Sequence, residues 1–383
     1  MATPDRVAAL VADALAPTGA HDVVVYLVDY AQRGLRPLPP ADGPALDLDD
    51  SLPGTAFRLM QPQVEERAGG VRVALPLLDG VERLGALALT LPGQTSLDRA
   101  AMHVLTAFAS AAAELVTTKG QYGDSLSRAA RDQPMSLAAE VQWQCLPPLT
   151  FATEGLVVAG SVEPSYQVGG DSFDYAADGS CLRFAVLDAK GHGLQASLLS
   201  TTAVAAYRNA RRIGAPLPDV VRHMDAAVSQ AFPGGQYVTA VVADLDLEAG
   251  RLRWVLAGHP APLVLHEGRV ERTLAVEPHP PLGLLHLGAD ALRVGETTLE
   301  PGDSVLAYTD GVVDGRDEQG RFFGVERLVM ALTEAAGAGL PVPETLRQVT
   351  LRVLGHQAGR VQDDATQLLV EWRSGREKQL SPV

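Results

Sequence analysis

Cysteine is nearly missing: Cys145 and Cys181 are the only two in 383 residues. Two are too few for a disulfide framework, and their spacing fits no metal-ligand motif, so the expected compartment is a reducing one. Basic charge is scarce too. Lys and Arg total 31 against 46 Asp and Glu, a formal charge of -15, and no basic run compensates locally. That balance argues against nucleic acid, whose phosphates are held by concentrated Lys and Arg. No uninterrupted apolar run approaches the roughly 20 residues of a membrane-spanning helix, and MATPDRVAAL lacks the charged start and apolar stretch of a signal peptide. The expectation is a cytoplasmic protein with no membrane contact. Internal repeats and low-complexity tracts are also absent. Apolar residues, by contrast, reach 46% with 20% charged, enough to build packed cores, and the length calls for two domains.

The chain divides by its patterning. A first block, residues 1–119, starts with helix-like VAALVADAL and passes into the β-branched run VVVYLVDY. Two further strand-like runs, VRVALPLL and RLGALALTL, flank Asp79-Gly80, a favoured hairpin turn. Leu97 to Val116 is apolar at helical spacing. Residues 120–150 are polar and then helix-like up to Leu146, where Pro147 and Pro148 stop the helix. This stretch reads as a helical linker, and a homodimer through the helices of 97–146 follows from their apolar spacing. From 151 to 376 strand-like runs dominate, among them GLVVAGSV, CLRFAVLD, YVTAVVADLDL and TQLLVEW, with helical stretches grouped apart. The expected class is α+β: antiparallel sheets with helices on their outer faces.

Four acidic motifs punctuate that second region. In VGGDSFDY, Asp171 follows two glycines; Asp178-Gly179 is a hairpin signal, and Asp188 lies almost symmetrically across it. Pairing across the turn brings Asp171 near Asp188. Two such carboxylates repel unless a cation lies between them. Asp188 is followed by AKGHGLQASLL, where glycines permit a sharp turn and the helix from Leu194 offers its first amides to an anion. Asp310 ends the strand-like run SVLAYTDG, and Asp363 and Asp364 precede TQLLVEW. An Asp-Gly pair after a strand is by itself an ordinary turn. Taken together, oxygen-only ligands with no Cys point to hard ions such as Mg2+ or Mn2+ rather than Zn2+.

The order VGGDSFDY, LDAKGHGLQASLL, YVTAVVADLDLEAGRLRWVLAGHPAPLVL, PPLGLL, LEPGDSVLAYTDGVVDGRDEQGRFFGVERL and DDATQLLV resembles the SpoIIE-like bacterial branch of the metal-dependent (PPM, type 2C) serine/threonine protein phosphatases. The resemblance spans about residues 135 to 373 and implies an α-β-β-α layered sandwich. It also implies two Mn2+ or Mg2+ ions held by Asp171, Asp188, Asp310 and Asp363, or Asp364 in place of Asp363. Asp188 would bridge the ions, and the backbone carbonyl of Ala189 would contribute. His192 stands at the family's Gly-His-Gly turn, where a proton-donor role and a loop-bracing role are both open. His259, in AGHPAP, reads as structural. The chain departs from the family at Ser172, Lys190 and Asp314, none of which removes a ligand. SLPGTAFRLMQPQVEE with VALPLLDGVERLGALAL resembles the middle of a GAF domain, an α/β sensor or dimerisation module, here with no Cys or His pattern that identifies a ligand.

Two ions of this kind acidify a water and neutralise phosphoryl oxygens, so no covalent phosphoenzyme is needed. The resemblance implies phosphoserine or phosphothreonine on a regulatory protein, of the anti-sigma-factor-antagonist class, as substrate. Two other readings compete. A catalytically silent phosphatase-fold module would dock a partner only. A diguanylate cyclase, whose signature loop VGGDSFDY also resembles, would need an acidic strand upstream, and FATEGLVVAGSVEPSYQ supplies only Glu154 and Glu163.

Overall fold

A computed structural model describes residues 3–93, 96–167, 169–289, 291–358 and 363–375. The chain divides into two compact units at Pro134/Met135.

The first unit contains α1 (Val7–Leu15), β1 (His21–Val28), β2 (Gly34–Pro37), β3 (Leu46–Asp47), α2 (Leu52–Leu59), β4 (Gln63–Arg67), β5 (Gly70–Asp79), β6 (Glu82–Pro92), α3 (Arg99–Gly120) and α4 (Ser125–Ala129). Its strands form one antiparallel sheet, in the order β3-β2-β1-β6-β5-β4. Alternation along β6 sorts its side chains: Leu87, Leu89 and Leu91 join the core under α1 and α3, while Ala86 and Ala88 face Phe57 of α2. By length and mean hydropathy alone α3 is apolar enough to cross a membrane; its alanine-rich composition raises the average without a continuous run of large apolar residues. Leu105, Ala109, Ala112, Ala113 and Val116 bury its inner face in the unit's core.

The second unit opens with α5 (Leu137–Cys145), β7 (Thr150–Thr153), β8 (Leu156–Glu163), β9 (Asp171–Asp178), β10 (Cys181–Ala189), α6 (Gly193–Arg212) and α7 (Leu217–Ala231). It continues with β11 (Val238–Asp246), β12 (Arg251–Ala257), β13 (Leu263–His266), β14 (Arg269–Thr273), β15 (Gly295–Thr298), β16 (Ser304–Tyr308), α8 (Gly311–Asp314), α9 (Gly324–Gly337), α10 (Val342–His356) and β17 (Ala365–Trp372). The residues between 120 and 150 thus hold two separate helices, Leu126 of α4 buried in the first unit's core and Ala139 of α5 in the second's. Pro343 sits in the first turn of α10, where its missing N–H costs nothing.

Two antiparallel sheets, β15-β12-β11-β10-β9 and β14-β13-β16-β17-β8-β7, pack face to face. Phe173, Phe184, Val186 and Val241 of one meet Val158, Val305, Leu368 and Val370 of the other. The fit is close: a Cβ on Gly160 would stand 2.2 Å from the Phe173 ring. The alternate residues of β10, Ala185, Leu187 and Ala189, turn outward onto Leu199 and Tyr207 of α6 and Met224 of α7. Each fully buried side chain of this size contributes about 1.5–3 kcal/mol. On the other flank α10 is tied down by Thr350, which donates to Ser161 Oγ at 3.0 Å and accepts from Gln367 Nε2 at 3.1 Å. The layering is α-β-β-α, as expected for the second unit.

A buried ion-pair network fixes α6. Asp174 accepts from Arg208 Nε and Nη2 at 3.1 and 2.8 Å and from Arg211 Nη1 at 3.1 Å. Arg208 Nη2 also reaches the Cys145 carbonyl at 2.6 Å.

Candidate active site

The site grows out of a hairpin. Asp178 and Gly179, with φ +58 at the glycine, turn β9 into β10, and the ladder then runs in register from Cys181 opposite Asp178 to Asp188 opposite Asp171. Parity decides where these acids face. Phe173 and Tyr175 on β9, and Leu182, Phe184 and Val186 on β10, all belong to the core between the sheets. Asp171 and Asp188 continue the same rows and so meet the other sheet at its end.

That other sheet brings its own acids. β16 is buried from end to end; Thr309 then follows, and Asp310 begins α8, its carbonyl accepting from the Val313 and Asp314 amides at 2.9 and 2.8 Å. Asp363 and Asp364 lead into the neighbouring β17. The two loops press so closely that a Cβ on Gly311 would lie 2.0 Å from the Asp364 carbonyl oxygen, which only glycine permits.

Polar bonds then stitch the two sheets together at this end. Asp364 Oδ2 accepts from the amides of Gly169 at 2.8 Å, Gly170 at 2.6 Å and Asp171 at 3.4 Å. Thr309 Oγ1 donates to Asp171 Oδ2 at 2.6 Å and accepts from the Thr366 amide at 2.9 Å. Gly170 is required where it stands, because a Cβ there would lie 2.5 Å from the Ala189 carbonyl oxygen. The carboxylates therefore divide their work. Asp364 serves the glycine loop as an anionic acceptor, whereas Asp363 is exposed, its Oδ1 accepting from the Asp364 amide at 2.9 Å.

The charges are unrelieved. Burial, then the charges of Asp188 and Asp364, holds the Asp171 carboxyl well above the usual range. Burial, followed by Asp310, Asp363 and Asp364, pushes Asp188 up to about 7. Asp310 is raised by burial and then by Asp363 and Asp314, and Asp364 by burial, against the pull of its three amide donors. Among the described residues no three His, Cys, Asp or Glu side chains form a ready-made cage for one ion; the acids stand on two sheets around one cleft. Their oxygen-only chemistry and mutual repulsion fit hard divalent cations.

The histidines play smaller parts. His192 is exposed at the start of α6 and makes no capping bond, and its backbone rests against Gly169. His259 is buried, its Nδ1 2.8 Å from Thr239 Oγ1, and burial drives its pKa down to about 3, so the ring stays neutral. Thr239 lies directly opposite Asp188 on β11. Sequence reasoning missed Thr309 and the acceptor role of Asp364. The threonine before Asp310-Gly311 and the second acid of DDAT were the available signals.

The sequence pattern of stage II sporulation protein E (SpoIIE) matches residues 178–373, a segment that holds Asp188, Asp310 and Asp363, while Asp171 enters through its pairing with Asp188. Protein IcfG of Synechocystis sp. is 27% identical over 135 residues, 35% of this chain and 20% of its own. Phosphoserine phosphatase RsbU of Bacillus subtilis is 23% identical over 188 residues, 49% of this chain and 55% of its own. The chain thus spans about a fifth and about half of these curated relatives. The SiaA-PP2C domain of Pseudomonas aeruginosa shares the fold, with TM-score 0.51 and 23% identity over 68% of this chain and 99% of that one. With half its length matched and its two sheets closing on acidic loops, the chain belongs to the SpoIIE family, the bacterial branch of the PPM phosphatases that its motifs resemble.

Proposed function

We propose that this chain is a metal-dependent protein serine/threonine phosphatase that hydrolyses phosphoserine or phosphothreonine on a regulatory protein, of the anti-sigma-factor-antagonist class. One observation carries the reading: acids from two sheets face a single cleft, and among the described residues the charges that act on Asp171 and Asp188 are those of other acids. Asp171, Asp188, Asp310 and Asp363 would hold two Mn2+ or Mg2+ ions, with Asp188 between them and the Ala189 carbonyl beside it. Two such ions supply the charge that acidifies a water molecule and neutralises phosphoryl oxygens. The chain's own residues keep that arrangement in place. Thr309 fixes the Asp171 carboxylate, Asp364 locks the glycine loop onto the opposite sheet, and neutral His259 supports the strand opposite Asp188 through Thr239. The name of the relative phosphoserine phosphatase RsbU supports phosphoserine as the substrate group.

The first unit is read as a GAF-like sensor that regulates turnover. A polar cavity of about 890 Å3 lined by Asp22, Tyr26, Asp49, Glu65 and Arg72, among others, is suited to a small ligand. An Arg72→Ala variant with altered turnover supports that regulation; unchanged turnover leaves the units independent.

The test of the activity is incubation of the full chain with phosphoserine peptides and phosphorylated regulators in Mn2+, with and without EDTA. Release of phosphate that stops with EDTA supports the reading. Tight binding of a phosphorylated regulator without turnover would make the chain a silent docking module instead.

A further inference from the structure

Of the motifs that carry the acids of the cleft, LDAKGHGLQASLL holds a lysine, Lys190, two residues after Asp188. Its position follows from the sheet register. Asp188 lies opposite Thr239 and Ala189 opposite Val238, and the Lys190 amide donates to the Tyr237 carbonyl at 3.0 Å, which extends the ladder by one residue. Alternation puts Lys190 on the row of Leu182, Phe184, Val186 and Asp188, the row that faces the opposing sheet. On β11 the inward row of Val241, Ala243 and Leu245 leads in the same way to Thr239 and Tyr237. The side chain agrees with this placement, since Lys190 Nζ lies 5.1 Å from the centre of the Tyr237 ring. Just beyond, Gly191 at φ +95 and Gly193 at φ +71 swing the chain away into α6, leaving Lys190 exposed at the mouth of the cleft.

Although Lys190 follows Asp188 by two residues, the charges that act on the Asp188 carboxyl are those of Asp310, Asp363 and Asp364, and the contact of the Lys190 ammonium among the described residues is with the Tyr237 ring. Stacking on the half-buried Tyr237 is a weak use of a charge, and the stem alone would cover the ring. The charge count gives it a stronger one. Asp171, Asp188, Asp310, Asp363 and Asp364 carry more negative charge than two divalent ions offset, so a phosphate dianion approaches a site that is still negative.

We infer that Lys190 is a substrate-positioning residue whose ammonium receives the phosphoryl oxygens of the incoming phosphoserine or phosphothreonine at the cleft mouth. The inference rests on the phosphatase reading. It also gives Lys190, one of the departures from the family's motif, a role in phosphate affinity.

The test uses the Mn2+-loaded full chain and inorganic phosphate as probe, measured by calorimetry, for wild type, Lys190→Met and Lys190→Arg. Methionine keeps an apolar stem on Tyr237 and removes only the charge. The expected result is about tenfold weaker phosphate binding in Lys190→Met, the scale of one charge-assisted hydrogen bond, with Mn2+ affinity no weaker and Lys190→Arg near wild type. On a phosphoserine peptide Lys190→Met raises KM more than it lowers kcat. Equal phosphate affinity in wild type and Lys190→Met overturns the inference. A wild type that binds phosphate through Lys190 yet hydrolyses no phosphoprotein leaves the lysine's role standing and sinks the phosphatase reading.

Discussion

Two hairpins in this chain share one turn chemistry and end differently. β5 and β6 turn at Asp79-Gly80, β9 and β10 at Asp178-Gly179, and both glycines take left-handed angles, φ +61 and φ +58. At the open end of the first, Val71 pairs with Leu91 and Gly70 with Pro92; at the open end of the second, Asp171 pairs with Asp188. The first hairpin therefore closes an aliphatic core and needs nothing more. The second delivers two carboxylates, largely buried, to a place where a second sheet adds Asp310, Asp363 and Asp364. The same turn dipeptide thus serves a scaffold in one unit and a charged cleft in the other, the first ladder shifting register at Leu77/Leu78 and the second running unbroken. The difference lies in the open ends, and an open end has chemistry only if another layer faces it.

The sharpest way to break this comparison is to neutralise the charged end. Asp188→Asn and Asp310→Asn are expected to lower Mn2+-dependent phosphate release by about two to three orders of magnitude, the scale of losing a major electrostatic contributor. Circular dichroism should stay native, and wild-type rates in both variants would refute the site. Asp174→Asn comes next. It strips Arg208 and Arg211 of a buried partner, and urea titration should show a loss of about 3–5 kcal/mol. In contrast, Glu65→Gln in the first unit removes only an exposed partner of Arg67 and should change stability by less than about 0.5 kcal/mol.

The glycines separate the two units further. In Gly311→Ala the new Cβ collides with the Asp364 carbonyl, and a loss of about 3 kcal/mol is expected. Gly80→Ala meets nothing within 4 Å, so it carries only the left-handed penalty of about 1–2 kcal/mol. Denaturant midpoints for the two variants measure the difference.

A smaller effect sharpens the electrostatic side. Folding raises the Asp188 pKa from 3.8 to about 7. An acid raised in this way binds its proton more tightly folded than unfolded. Its stabilising contribution is therefore complete below pH about 4 and is lost as pH rises through about 7. Bound cations take over from the proton, so the increase in melting temperature on adding Mn2+ should grow between pH 5 and pH 8. Scanning calorimetry with Mn2+ and with EDTA reads this directly, and a pH-independent increment would show that the acids do not hold the ion.

The sequence by itself determined the strands, their turns and the acids at their ends. Asp-Gly signals and period-two alternation are local, so Asp178-Gly179 sufficed to bring Asp171 near Asp188, which the ladder then sets directly opposite. It also announced that Asp310 and the pair Asp363 and Asp364 end or begin strands. Alternation within one strand shows which residues share a face and leaves open what that face meets. Only the tertiary structure decided that Asp364 binds the Gly169–Gly170 amides while Asp363 stays exposed, that Thr309 secures Asp171, and that Asp174 anchors α6 through Arg208 and Arg211. Each of these contacts joins residues far apart in the chain. Their energies depend on burial and on short distances, and neither exists until the layers, sheet on sheet and helix on sheet, have packed.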